Sequence, residues 1–215
     1  MITKLSEIKS AENRNITLYE VSPVNFDKTV LIIGVFHGDE LQGEYLIKQF
    51  LDTVDSENIK NKILAVPCLN PDGKHYFTRQ NANKIDLNRN FPTKNFEVTK
   101  DAQYYGGKTP ASETETKFVI DILDKYKPDF ILTLHSPYRI VNYDGPAEKE
   151  AEKIAEITGY PVESDIGYPT PGSFGTYAGI ERNIPTVTLE LTESDRFEKL
   201  WEDNCGIFEY LSYEY

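Results

Sequence analysis

Val30-Leu31-Ile32-Ile33-Gly34-Val35-Phe36-His37-Gly38-Asp39-Glu40 reads as a buried strand that runs out into a polar turn. From Val30 to Phe36 no polar side chain interrupts the run, so neither face of this strand is meant for water. Ile16 to Val21, Ile63 to Pro67, Phe130 to His135 and Thr186 to Leu191 have a similar character. Between them Leu46, Ile47, Phe50, Leu51 and Val54 recur at helical spacing. Ser112-Glu113-Thr114-Glu115 has the form of a capping box and opens a helix through Tyr126, which Lys127-Pro128 stops. A third helix is expected from Ala147 to Ile157, ended by Gly159. A last one, from about Asp195, is expected to bury Phe197, Leu200, Trp201, Cys205 and Phe208 on one face. This alternation predicts an α/β fold in a single domain over residues 1–215, with a mixed, mostly parallel central sheet and helices on both faces.

Two stretches resist regular assignment: Asn70 to Thr109, polar and rich in Asn, and Tyr160 to Gly175, rich in Pro and Gly. Loops of this length in a compact domain are usually functional or disordered, and their aromatics and arginines favour function. The net charge of −12 argues against nucleic-acid and membrane-surface partners, which favour basic patches. Met1 to Glu7 lacks the apolar stretch of a signal peptide, and no run approaches the roughly 20 apolar residues of a membrane helix. A soluble cytoplasmic protein is therefore expected. Cys68 and Cys205 have no metal-type spacing and are expected to be small buried hydrophobes.

The chemistry gathers at strand ends. His37 and Glu40 follow one apolar run, and His135 ends another, Phe130-Ile131-Leu132-Thr133-Leu134. Parallel strands of an open sheet present their carboxyl ends to one crevice, so these three side chains can converge. Two histidines and a glutamate form a ligand set that suits a catalytic Zn2+. Glu190 closes a further strand after Val187-Thr188-Leu189, where a buried carboxylate would carry a raised pKa suited to proton transfer. Asp86-Leu87-Asn88-Arg89-Asn90-Phe91-Pro92 offers the guanidinium of Arg89 and the amide of Asn88 to a carboxylate, and Arg79 could stabilise an oxyanion. His75, inside the loop, reads as a surface or substrate-side residue.

His37-Gly38-Asp39-Glu40, Asn70-Pro71-Asp72-Gly73, Asp86 to Pro92, Leu134-His135-Ser136 and Thr188-Leu189-Glu190 occur in the order seen in the zinc carboxypeptidase family. The chain resembles that family from about Val30 to Leu191. Within it, Thr78-Arg79-Gln80-Asn81-Ala82 and Ile166 to Gly175 look like the murein tripeptide amidase branch. The resemblance implies one Zn2+ held by His37, Glu40 and His135, with Glu190 as general base. It implies Arg79 as the oxyanion-stabilising arginine, Asn88 and Arg89 as the carboxylate grip, and Tyr168 near the family's mobile tyrosine. Gly175 falls where some digestive members carry a charged specificity residue, which argues against simple digestion of basic C-terminal residues.

The implied activity is hydrolysis of an amide on the amino side of a residue with a free carboxylate. The branch points to a small peptide substrate, the γ-D-glutamyl–meso-diaminopimelate bond of L-Ala-γ-D-Glu-meso-diaminopimelate, in cell-wall peptide recycling. An N-acyl-amino-acid deacylase of the aspartoacylase or succinylglutamate desuccinylase type shares the His-x-x-Glu…His site and ranks second. A non-catalytic peptide-binding module ranks last, because neither a ligand nor the glutamate is missing.

Overall fold

The computed structural model describes residues 2–164, 167 and 169–215. Its strands, in chain order, are β1 (Ile2–Lys9), β2 (Asn15–Val21), β3 (Thr29–Gly34), β4 (Lys62–Val66), β5 (Phe130–His135), β6 (Ile140–Asp144), β7 (Val162–Glu163) and β8 (Thr186–Glu190). They form one eight-stranded sheet in the order β1-β2-β4-β3-β5-β8-β6-β7. The central β4, β3, β5 and β8 are mutually parallel, while β1, β2 and β6 join through antiparallel pairings. The apolar runs therefore occupy the middle of the sheet, where both faces are covered.

The helices are α1 (Gln42–Thr53), α2 (Pro71–Tyr76), α3 (Thr114–Tyr126), α4 (Glu148–Thr158) and α5 (Phe197–Glu209). One face of the sheet packs Ile32, Leu132, Leu134, Val187 and Leu189 against Leu46, Ile47, Ile154, Leu200 and Phe208 of α1, α4 and α5. The other packs Leu31, Ile33 and Ile131 against Phe118, Val119 and Ile122 of α3 and against Phe36, Phe91, Phe174 and Tyr177. Helices thus lie on both faces. On the second face, irregular chain covers the carboxyl ends of the strands, leaving room for a cavity there.

Several expectations are displaced. The helix expected from the capping box begins at Thr114, with Glu113 at its cap and no side-chain capping bond. Ser112 Oγ is drawn away: it donates to Glu113 Oε1 (2.7 Å) and accepts from Asn90 Nδ2 (3.0 Å). The buried face of α5 runs through Leu200, Asn204, Ile207 and Phe208. Phe197 is 39% exposed and stacks on Tyr45 instead. Asn204 fits inside because its amide donates to the Leu200 carbonyl (2.8 Å). Cys68 and Cys205 are free and only half-buried. The polar stretch after Asn70 contains α2 and a turn of 3-10 helix at Leu87–Arg89, and the Pro-rich stretch contains β7.

Candidate active site

His37 stands just beyond β3. Leu69 N donates to Gly34 O (3.1 Å) and Asn70 N to Val35 O (2.9 Å), so the departing chain is held by the segment that follows β4. Asn70 explains much of the Asn-Pro-Asp-Gly motif. Its Oδ1 caps α2 at Gly73 N (2.8 Å), while its Nδ2 donates to the carbonyls of Phe36 and Arg79 (3.2 Å each). One side chain thereby fixes both the turn bearing His37 and the segment bearing Arg79. Gly38 is required by close approach: a Cβ there would enter the backbone of Gly73 and Lys74.

The His37 and His135 rings and the Glu40 carboxylate meet in a buried cluster. His37 Nδ1 is 2.7 Å from Glu40 Oε1, His135 Nδ1 is 2.9 Å from Glu40 Oε2, and the two Nδ1 atoms are 3.3 Å apart. Phe36 stacks on His135 with ring centres 5.3 Å apart, which fixes that imidazole from behind. His37 Nε2 faces Asp86 Oδ1 at 3.2 Å. When Nε2 carries the proton shared with Asp86, Nδ1 offers a lone pair, and it points at another ring nitrogen and a carboxylate. Three such atoms, all within 4.8 Å of one another, need a cation between them. Without one, a proton serves. Burial lowers the His37 pKa, but Glu40 and Asp86 together outweigh it and push it up to about 9. Burial would raise the Glu40 and Asp86 carboxyls, yet the facing histidines hold both well below the usual carboxylate range. The donor set therefore fits Zn2+, which takes imidazole nitrogen and carboxylate oxygen together.

Glu190 lies opposite His135 in the β5–β8 ladder. Its Oε2 is buried without a hydrogen-bond partner among the described residues, and burial, reinforced by Glu40, pushes its pKa up against the pull of His135. Arg79 Nε donates to Asp86 Oδ2 (3.0 Å), and its Nη1 lies 3.7 Å from Glu40 Oε1. Arg89 is buried, and its Nη1 donates to the Asn88 carbonyl (2.7 Å). The Tyr104 ring carries both guanidiniums, with the Arg79 carbon 5.2 Å and the Arg89 carbon 5.5 Å from its centre. Asn88 Oδ1 accepts from Phe174 N (2.9 Å), which orients the amide and leaves Nδ2 as its donor group.

All seven of these expected residues, His37, Glu40, Arg79, Asn88, Arg89, His135 and Glu190, line one cavity of about 230 Å3. Tyr168 lies outside the described residues. His75 is exposed and away from the cavity. The sequence reading gave no role to Asp86, which binds both His37 and Arg79, although it stands in the Asp86 to Pro92 motif. Tyr104, from the polar stretch after Asn70, and Asp144, from β6, also line the cavity, and the sequence reading gave neither a role.

A mostly parallel sheet with a His-Glu-His cluster and two arginines at its carboxyl edge defines a zinc-dependent hydrolase. Residues 1–159 match the zinc carboxypeptidase family model, and the chain belongs to that family. It is 30% identical over 187 residues to the murein peptide amidase A of Vibrio campbellii, spanning 81% of this chain and 73% of that protein. To the murein peptide amidase A of Escherichia coli K12 it is 29% identical over 182 residues, spanning 79% and 73%. The crystal structure of a murein-tripeptide amidase from Escherichia coli O157 superposes with a TM-score of 0.85 at 24% identity, covering all of this chain and 92% of that one. The cofactor is Zn2+.

Proposed function

We propose that this enzyme hydrolyses the amide between γ-D-Glu and meso-diaminopimelate in L-Ala-γ-D-Glu-meso-diaminopimelate, within cell-wall peptide recycling in the cytoplasm. The observation that carries the reaction type is one cavity holding a His-Glu-His cluster suited to a metal ion, a carboxylate with one buried oxygen that lacks a partner among the described residues, and two guanidiniums on a shared ring. The names of the related amidases favour a murein peptide as the substrate class, and the particular bond follows from the motif resemblance. Among the described residues no helix is long and apolar enough to cross a membrane, in keeping with a small peptide met in solution.

His37, Glu40 and His135 would hold the zinc, which when bound acidifies water and polarises a carbonyl. Glu190 takes the water proton on its unpartnered Oε2 and returns it to the departing amine. Its raised pKa suits that double duty: it is basic enough to take the proton and acidic enough to give it back. Arg79, pinned by Asp86, presents positive charge to the oxyanion that develops at the scissile carbon. Arg89 and Asn88 hold the carboxylate of the departing residue. That grip places the scissile bond at a set distance from Glu190 and reduces the entropy cost of attack.

The test is to offer zinc-loaded protein the murein tripeptide, ordinary L-peptides and N-acyl amino acids, with products read by mass spectrometry. Release of diaminopimelate with the highest kcat/KM supports the assignment. Turnover of N-acyl amino acids alone overturns it in favour of a deacylase, and binding without turnover of any compound overturns it in favour of a binding module.

A further inference from the structure

Tethers at both ends hold the chain from Ala102 to Gly106 between the segments that carry the two arginines. Gln80, next to Arg79, donates its side-chain amide to the Ala102 carbonyl. At the other end Asp86 N donates to Tyr105 O (2.8 Å), and Asn90 Nδ2 donates to Gly106 O (2.7 Å). Gly106 approaches the Arg89 backbone so closely that a Cβ there would enter the Arg89 carbonyl. Tyr104 stands in the middle of this strap, so backbone contacts to both arginine-bearing segments set its place.

The half-buried Tyr104 ring has the Arg79 guanidinium carbon 5.2 Å and the Arg89 guanidinium carbon 5.5 Å from its centre. Both lie within the roughly 6 Å over which an aromatic face attracts a cation. Arg79 Nε also donates to Asp86 Oδ2 (3.0 Å), and Arg89 Nη1 donates to the Asn88 carbonyl (2.7 Å). Neither of those contacts reaches across to the other guanidinium; the ring does. Two cations brought to one place repel each other, and the negative ring face offsets part of that cost. A second hollow of about 410 Å3 shares Arg89 and Tyr104 with the active cavity and is also lined by Glu97 and Asp101. Those carboxylates draw the Arg89 guanidinium away from the active cavity, and the ring acts against that pull.

We propose that Tyr104 is a positioning residue: one ring sets the spacing between the arginine that meets the oxyanion and the arginine that grips the departing residue's carboxylate. This rests on the reading of the site as an amidase in which Arg79 and Arg89 have those roles. In the substrate, covalent bonds fix the separation of that carboxylate from the scissile carbonyl. Guanidiniums held at a matching separation serve the transition state without rearrangement. Loss of the ring acts on both arginines. Arg79 drifts from the oxyanion, which lowers kcat, and Arg89 drifts from the carboxylate, which raises KM.

The experiment measures kcat and KM for L-Ala-γ-D-Glu-meso-diaminopimelate with zinc-loaded wild type, Tyr104→Phe and Tyr104→Leu. Two further samples carry difluorinated or trifluorinated phenylalanine at the same position, placed by nonsense suppression. Fluorine withdraws electron density from the ring face with little change of shape, so it weakens cation binding and leaves the packing alone. Tyr104→Phe, which keeps the ring, retains most of the activity. With each added fluorine kcat falls and KM rises. Tyr104→Leu changes each by about tenfold, the size of one partly buried cation–π contact per arginine. Zinc content and Tm, read on the same samples, stay near the wild-type values along the fluorinated series. A flat fluorinated series overturns the proposal whatever Tyr104→Leu does, because the ring is then only filler. Movement of kcat alone or of KM alone overturns the shared role. A defect in Tyr104→Phe as large as that in Tyr104→Leu overturns it in favour of the phenol hydroxyl. In each of these cases turnover by the wild type leaves the amidase reading standing. If the wild type leaves the tripeptide intact, the amidase reading fails and the role of Tyr104 fails with it.

Discussion

Glu190 and His135 are direct partners in the parallel ladder of β5 and β8, so a candidate base and a candidate metal ligand share one row of the sheet. Backbone hydrogen bonding, not a flexible loop, sets their separation. Glu190→Gln keeps the shape and removes the proton acceptor. Activity is expected to fall by about 10²–10⁴-fold, the usual contribution of a positioned base. Metal content and KM should be little changed. Stopped assays paired with metal analysis of the same sample check this, and a variant that loses zinc along with activity would make Glu190 a structural residue instead.

Asp86 joins the His37–Glu40–His135 cluster to Arg79, accepting from His37 Nε2 and Arg79 Nε through its two oxygens. Asp86→Asn supplies an amide that cannot accept at both positions. A loss of about 10–100-fold in zinc affinity or activity is expected, as for other partners of metal-bound histidines. Competition with a chromogenic chelator measures the affinity directly. Wild-type affinity together with wild-type kcat would show that the contact is incidental.

Zinc and a proton compete for His37. Because the imidazole is pushed up to about 9 without metal, the site at neutral pH holds a proton that must leave when zinc enters. Apparent zinc affinity should therefore rise as pH increases toward 9, by about tenfold per unit for one proton released, and level off above it. Calorimetry in buffers of different ionisation enthalpy counts the proton. Chelation should abolish activity and lower the Tm, and added zinc should restore both in the wild type but not in His135→Ala.

Glu115, near the start of α3, is 1% exposed, and its Oε1 has no hydrogen-bond partner among the described residues. Burial, with Glu113 and Asp72 nearby, pushes its carboxyl up to about 7 from an ordinary 4.5. Between these two values the folded chain binds more protons than the unfolded one. Stability from this group is therefore complete below about 4.5 and is lost as pH rises through about 7. Glu115→Gln should be the more stable protein at pH 8, by about 3 kcal/mol, with the gap closing near pH 4. Urea unfolding at both pH values decides it; a less stable variant at pH 8 would mean the ionised group has a partner.

The central strands were legible because burial on both faces leaves no room for polar residues, as in Val30 to Gly34. Strands β1 and β6 were not. Ile2–Lys9 alternates with charged residues at the sheet's edge, and one face of Ile140–Asp144 lines the cavity, so its Asn142 and Asp144 imitate a loop. The convergence of His37, Glu40, His135 and Glu190 could be read because strand ends bring them to one edge. Asp86 was visible within its motif, but its double contact depends on how the loop folds back onto His37. The α5 face was misplaced because a buried asparagine that bonds its own helix looks like a surface residue in sequence.

The central claim is an amide hydrolysis next to a free carboxylate, driven by Glu190 at a zinc site. The most direct measurement is product analysis of L-Ala-γ-D-Glu-meso-diaminopimelate after incubation with zinc-loaded wild-type and zinc-loaded Glu190→Gln protein. The account predicts free diaminopimelate and L-Ala-D-Glu from the wild type and intact tripeptide from the variant. Intact tripeptide from both, or equal release by both, would contradict it.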